Sequence, residues 1–290
     1  MELHGAELEA FAVDSILEGL AEATIKGYVD QLRRYAAWCS KEGTQATTVR
    51  SAKAYLATLT QWSAFMAARS LKRYGRWLAE ECGDTDPFEK LKFVRQPDQT
   101  PQRTASSDDI AALLKAIEGN DIRAIRDRAL ILTLATTGMR RAELCRMGWS
   151  DVDLASGSIT LPKTKAGRPR TVRVSPEGSR ALRRYYRALD RWDLDANRES
   201  LDECWISTSR RAPLTPNGVG SIVEDRAAAA GLDLTAHALR RGFAVNWLRS
   251  GEPQAYLQTV AGWSDGRMVS RYVHAMAGEQ ALEAHARIYG

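Results

Sequence analysis

Cysteine is scarce in this sequence. There are four in 290 residues (Cys39, Cys82, Cys145 and Cys204), with no Cys-x-x-Cys pair among them. That spacing excludes a disulfide framework or a thiolate zinc site, and predicts reduced, mostly buried thiols in a cytoplasmic protein. Long apolar runs are also lacking. The longest, around 129–135, falls far short of the roughly 18 residues a membrane span needs. The first residues, MELHGAELEAF, have neither the basic region nor the apolar core of a signal peptide. No internal repeat or low-complexity tract is present, and 44% hydrophobic with 27% charged residues is ordinary globular composition.

The length of 290 residues suits about two domains, each able to bury its own core. Charge is divided unevenly between them. Residues 1–100 carry 13 Lys+Arg against 14 Asp+Glu, and the remaining 190 carry 28 against 22. A basic second part suggests a polyanionic partner, although a solvated charged surface has the same composition.

Apolar periodicity predicts helices over 22–42 (Ile25, Tyr28, Leu32, Tyr35, Cys39, stopped by Gly43), 48–59 and 63–81, followed by a short helical turn in DTDPFEKLKF. QPDQTPQRTASS, with two prolines and a single apolar residue, marks a boundary. The expected layout is a four-helix module over 1–95, a linker over 96–104 and a second domain over 105–290. In that domain Ser107-Asp108-Asp109-Ile110 reads as the capped start of a helix to 118, followed by helices over 122–136 and 140–147. Strands at 158–161 and 171–174 flank a basic turn at Ala166-Gly167, and 205–207 reads as a further short strand. Helices are expected from Pro176, over 216–230, 236–249, 254–261 and 267–276, with a separate short amphipathic one over 278–288. The fold class is mainly α with one small hairpin.

The chemistry lies in TTGMRRAEL, KTKAGRPRTVRV and the stretch from His237 to His274. A phosphodiester under attack spreads negative charge over its non-bridging oxygens. A guanidinium fork suits that charge, because it donates two parallel charge-assisted hydrogen bonds and keeps its proton. Arg140 and Arg240 are the candidates, each at or near a predicted helix start, where backbone N–H groups add positive potential. His237 lies one turn before Arg240, so the two share a face, and it suits acid–base work or donation to a phosphate oxygen. Trp263 offers an indole N–H. Tyr272 is the candidate nucleophile; a phenol of pKa near 10 needs a cationic setting or a proton acceptor for that role.

Lys165, just ahead of the basic turn, suits protonation of a leaving oxygen, with Lys163 as a rival. Glu143 is expected to brace Arg140. Lys163, Arg168 and Arg170 of the hairpin, with Arg241, are expected to contact DNA. No metal site is expected. Singly, each residue also has a plain structural reading: a surface salt bridge for an arginine, a core position for Trp263 or for Tyr272, which falls on the stripe Val269, Tyr272, Val273, Met276. The conjunction, in order and with matched spacing, carries the argument.

These segments closely resemble the tyrosine recombinase (phage integrase) family. TTGMRRAEL resembles its first-arginine box, KTKAGRPRTVRV its catalytic-lysine hairpin, HALRRGFA its His-x-x-Arg box, and AGWSDGRMVSRYVH the segment ending in its tyrosine. The family usually has histidine where Trp263 stands, with tryptophan in some members. Residues 8–95 resemble its helical, SAM-like core-binding module, so the likeness spans nearly the whole chain.

The resemblance implies two domains that clamp double-stranded DNA core sites as a C. Tyr272 would attack the scissile phosphate to give a 3′-phosphotyrosine and a free 5′-hydroxyl. Arg140, Arg240, His237 and Trp263 would hold the phosphate, and Lys165 would protonate the departing oxygen. The covalent link keeps the bond energy, so no ATP, metal or other cofactor is implied. A homotetramer on DNA would pass through a Holliday junction, from a free monomer or weak oligomer, with the 278–288 helix docking on a neighbour. A host DNA-bending factor is an open accessory, and the setting is a bacterial host cytoplasm, at the nucleoid. With only a few residues before the core-binding module, no arm-binding domain is expected, which suits a phage or mobile-element integrase using simple sites. Rival readings are an Xer-type resolvase or plasmid or transposon recombinase, a type IB topoisomerase, and a DNA-binding protein with a degenerate site.

Overall fold

The computed structural model describes residues 5–83, 85–92, 94–95, 103–162, 169–192, 202–209 and 211–289. The chain divides into two compact units, Met1–Thr100 and Pro101–Gly290.

The first unit packs α1 (Gly5–Leu17), α2 (Glu22–Glu42), α3 (Val49–Ala57) and α4 (Gln61–Cys82) around Phe11, Leu32, Tyr35, Leu71 and Tyr74. Helix α2 ends as expected, with Gly43 in the left-handed conformation at φ 63°. The fourth helix differs from expectation. It is α1, while 87–90 form turns. The Asp86 carboxylate takes the Phe88 N–H at 2.7 Å, a local bond that competes with helix. Phe88 is fully buried. Helix α1 is fixed to α4 by the Phe11 ring set edge-on against Tyr74 and Trp77. Two side-chain bonds add to this, Tyr74 Oη donating to Glu7 and Trp77 Nε1 to Asp14.

In the second unit, α5 (Ser107–Lys115) is capped by Ser106, one residue before the expected cap, in a reciprocal box with Asp109. Helix α6 (Ile122–Thr137) is buried along most of its length and is the centre of the larger core, with α8 (Pro176–Trp192) lying along it. Helix α7 (Arg141–Cys145) leads through a 3-10 turn into a three-stranded antiparallel sheet of β1 (Val152–Asp153), β2 (Ser158–Leu161) and β3 (Arg170–Arg173). The register pairs Ile159 with Val172 and Leu161 with Arg170. Strand β3 therefore begins one residue earlier than expected, and β1 was not anticipated. At 205–207 only an isolated bridge forms, between Ile206 and Pro213.

Helices α9 (Pro216–Ala229), α10 (Ala236–Arg249) and α11 (Gln254–Ala261) follow the predicted bounds closely. Helix α12 runs unbroken from Arg267 to Tyr289, where two helices were expected. Gly278 costs about 1 kcal/mol against alanine in a helix, too little to interrupt a hydrogen-bond ladder that contains no proline. A smaller core of Ala244, Leu248, Leu257, Ala261, Trp263, Val269 and Tyr272 joins α10, α11 and α12. No helix among the described residues is long and apolar enough to cross a membrane. Cys39 and Cys204 are buried and Cys145 half-buried, all as free thiols.

Candidate active site

Helix α11 ends where Gly262 turns left-handed, at φ 65°. The last carbonyls of a helix have no intrahelical partner, and here three successive ones each take an arginine. Arg170 Nε donates to the Val260 carbonyl at 2.7 Å, Arg240 Nη2 to that of Ala261 at 2.8 Å, and Arg140 Nη2 to that of Gly262 at 3.1 Å. Arg240 Nη1 also donates to the carbonyl of Gly138, the left-handed cap of α6. The sequence suggested that helix starts would set the electrostatics of these arginines. In the folded chain the negative ends of α6 and α11 hold the guanidinium groups of Arg140 and Arg240. Gly262 is needed for space as well as for its backbone, since a Cβ there would lie 2.6 Å from Arg170 Nη1.

Glu143 binds the cluster together. Its Oε2 accepts the Arg140 backbone N–H at 2.7 Å and its Oε1 accepts Arg140 Nη1 at 3.0 Å, while Arg170 donates to both oxygens at 3.1 and 2.9 Å. Burial alone would raise its pKa, but the hydrogen bonds from Arg170 and from the Arg140 backbone outweigh that and bring it down to about 2. The expectation that Glu143 braces Arg140 matches this geometry. The expectation that Arg170 contacts DNA is corrected: its side chain is 4% exposed, and Nε, Nη1 and Nη2 are all engaged inside the protein. Strand alternation puts Arg170 on the inner face with Val172 and Val174.

Arg240 is buried, and its guanidinium lies over the Trp263 ring at 5.5 Å, within cation–π range. Burial, then the nearby Arg140 charge, lowers its pKa to about 10, which leaves it protonated at neutral pH. The other face of the arrangement is Tyr272. Its ring stacks on Trp263 with centroids 5.5 Å apart and planes at 15°, and its phenol is electrostatically coupled to Arg240 and Arg241. Trp263 and Tyr272 are both buried and belong to the small core that joins α10, α11 and α12. Arg140, by contrast, keeps 37% of its side chain exposed.

His237 lies in the first turn of α10, one turn before Arg240, with part of its side chain open to solvent. Partial burial, then the charges of Arg241, Arg240 and Arg141, lowers its pKa below the usual 6.5. Arg241 is half-buried, with Nε donating to the Arg103 carbonyl at 2.9 Å. Lys163, Lys165 and Arg168 lie outside the described residues. No group of three or more metal-ligating side chains occurs among the described residues. A cavity of about 440 Å³ lined by Arg123, Arg126, Asp127 and Arg226 lies at the opposite end of α6 and contains none of the expected residues. A polymer backbone calls for an open cationic surface more than a closed pocket.

The model of the phage integrase family matches residues 103–279. The chain belongs to the phage integrase family. Tyrosine recombinase XerD of Ralstonia nicotianae is 28% identical over 279 residues, 93% of this chain and 89% of that protein. The Tn1549 transposon integrase in complex with transposon right-end DNA superposes with a TM-score of 0.71 at 17% identity, covering 98% of this chain and 99% of that one. A lambda integrase tetramer bound to a Holliday junction gives a TM-score of 0.65 at 18% identity, covering 90% and 77%. The mainly helical fold with a small sheet is thus that of the integrases, and the family is one of tyrosine site-specific recombinases.

Proposed function

We propose that this recombinase cleaves and rejoins DNA through Tyr272, acting within its own protomer. The carrying observation is that the Tyr272 ring and the Arg240 guanidinium both lie against the Trp263 indole, with Arg140 and Arg240 held on consecutive carbonyls. Tyr272 Oη gives its proton to solvent and attacks the scissile phosphorus, and the bond to the 5′-oxygen breaks, leaving a 3′-phosphotyrosine. Arg140 and Arg240 hold the non-bridging oxygens, an electrostatic contribution worth a few kcal/mol of barrier per donor. His237, whose imidazolium is disfavoured in the free protein by burial and by the nearby arginines, donates to the same phosphate, and Lys165 protonates the leaving oxygen. The 5′-hydroxyl of a partner strand then attacks the phosphotyrosine and releases Tyr272. The phosphoester energy is retained throughout, so the cycle draws on no ATP.

The first unit serves as the core-binding domain and the second as the catalytic domain. Exchange proceeds in a homotetramer through a Holliday junction, with double-stranded core sites as substrate and a host DNA-bending factor as accessory, at the nucleoid. Integration or excision of a phage or mobile element is one setting. Xer-type resolution is the second, favoured by the XerD relative matched along nearly its whole length. The deciding experiment is trapping on a nicked suicide substrate, which gives a denaturant-resistant adduct with wild type and none with Tyr272→Phe. A wild type that forms no adduct would leave a DNA-binding protein without strand transfer.

A further inference from the structure

The reaction proposed above assigns nothing to Arg170, yet all three of its guanidinium nitrogens donate inside the protein. We infer that Arg170 is a positioning residue for strand cleavage: its guanidinium ties β3 to Glu143 and to the Val260 carbonyl, and so sets the direction in which Arg140 faces. This inference rests on the cleavage reading.

The geometry distinguishes this role from plain packing. Arg170 commits Nε to Val260 and its two terminal nitrogens to the two oxygens of Glu143, at 2.7, 3.1 and 2.9 Å. Only a planar five-donor fork can satisfy acceptors in three directions. Glu143 holds Arg140 at two points, the backbone N–H and Nη1. The terminal torsion of a glutamate is soft. Freed from Arg170, the carboxylate is no longer fixed in one orientation, and its two bonds to Arg140 no longer hold that side chain in one direction. Arg170 thus fixes Glu143, and through it the exposed edge of Arg140. By filling Val260, it also leaves Ala261 and Gly262 to the two phosphate-holding arginines. As a buried group whose three nitrogens are all engaged inside the protein, it offers nothing to DNA directly.

The charged groups facing Glu143 are Arg140 at the cap of its own helix, Arg170 from β3 and Arg240 from α10, with Arg146 further along α7; α11 presents carbonyls. Removing Arg170 takes away hydrogen bonds and charge that hold the Glu143 carboxylate ionised, while its burial remains. Its pKa then rises, and cleavage becomes sensitive to acid.

The test uses full-length Arg170→Met and Arg170→Lys on the nicked substrate, with duplex affinity measured over a range of salt. Arg170→Met is expected to bind DNA with wild-type affinity and salt slope, yet to form adduct roughly 100-fold more slowly, the scale of a misplaced catalytic group. The ratio of its rate to wild type should fall as pH drops from about 8 to about 5.5, and that ratio should be flat when both proteins carry Glu143→Gln. Wild-type cleavage by Arg170→Met overturns the inference. A matching loss of affinity and salt slope reinstates a DNA contact and overturns it too. A ratio independent of pH reduces Arg170 to packing. If thermal melting shows Arg170→Met unfolded, Arg170→Lys carries the test, with adduct formation expected about tenfold or more slower at unchanged affinity; wild-type cleavage by it sinks the idea. A wild type without adduct strikes the cleavage reading instead, so the two failures are distinguishable.

Discussion

Trp263 lies nearly parallel to Tyr272, its centroid 5.5 Å from the phenol ring, while the Arg240 guanidinium lies over the same indole. The tryptophan therefore touches both a proposed nucleophile and a proposed phosphate ligand, and its area matters as much as its N–H. Stacking of aromatic pairs is worth about 0.5–1.5 kcal/mol beyond burial, and a desolvated cation–π contact about 2 kcal/mol. Trp263→Ala should lower the adduct rate by roughly 10- to 100-fold with a smaller effect on DNA affinity. Trp263→Phe keeps a ring in the stack but loses the indole donor, and it should retain most of the activity. Equal losses in single-turnover cleavage by the two variants would show that donation to the phosphate dominates.

The lowered pKa of His237 gives the free protein a pH signature. Partial burial and the charges of Arg241, Arg240 and Arg141 disfavour the imidazolium in the folded state. Between the lowered value and the ordinary 6.5, the unfolded chain binds more protons than the native one, so stability rises with pH across that window. In His237→Gln this slope should vanish. Thermal unfolding of both proteins from about pH 5 to about pH 7 checks it: wild type should gain on the variant as pH rises, and parallel curves would mean the imidazole titrates normally. A bound phosphate reverses the balance, so the same histidine should titrate higher on DNA.

Much of this was legible in the sequence. The bounds of α2, α10 and α11 follow from apolar spacing that ends at Gly43, Arg249 and Gly262, because buried stripes and left-handed caps are local signals. The grouping of Arg140, Glu143, His237, Arg240, Trp263 and Tyr272 followed from motif order. Arg170 was misread because a basic hairpin looks like a DNA surface, although its place two residues before Val172 and four before Val174 already put it on the inward face. The partner that makes an inward arginine tolerable, Glu143, is 27 residues away and invisible to periodicity. Helix α1 escaped notice since its stripe is short, Leu8, Phe11 and Ser15, and its anchors Tyr74 and Trp77 lie more than 60 residues on. The break expected near Gly278 gave glycine more weight than one residue carries in a long helix.

Asp127 provides a stability test remote from the chemistry. It is buried between two arginines: Oδ1 accepts Arg126 Nε and Nη2, and Oδ2 accepts Arg226 Nε and Nη2, all at 2.7–2.9 Å. Arg126 also holds the Ile206 carbonyl. Asp127→Ala would leave Arg126 buried without a counter-charge, which costs about 3–5 kcal/mol when one partner of such a pair is removed. Asp127→Asn should cost less, since it keeps one carbonyl acceptor. Urea unfolding reads the loss. Eleven residues of α6 separate this network from Gly138, about 16 Å, so the fraction still folded should cleave DNA at the wild-type rate. A cleavage defect in folded Asp127→Asn would mean that α6 transmits strain along its length.

The last three turns of α12 bear on assembly. Within 278–289, Leu282, Ile288 and Tyr289 are 74%, 69% and 76% exposed, large apolar groups that a monomer gains nothing by presenting to water. Each fully buried side chain of this size is worth about 1.5–3 kcal/mol, enough, from three of them, to matter in joining protomers already held on one DNA. Removal of residues 278–290 ends the helix beyond Tyr272 and leaves the Arg140, Arg240 and Trp263 contacts in place. Such a truncated chain should bind a single core site and form adduct on a suicide half-site nearly as wild type does, while synaptic complexes and Holliday junctions on paired full sites disappear. Native gels of one-site and two-site DNA separate these steps. Synapsis by the truncated chain at wild-type level would place the protomer contact elsewhere, and loss of half-site cleavage would mean the distal turns are needed to hold Tyr272 itself.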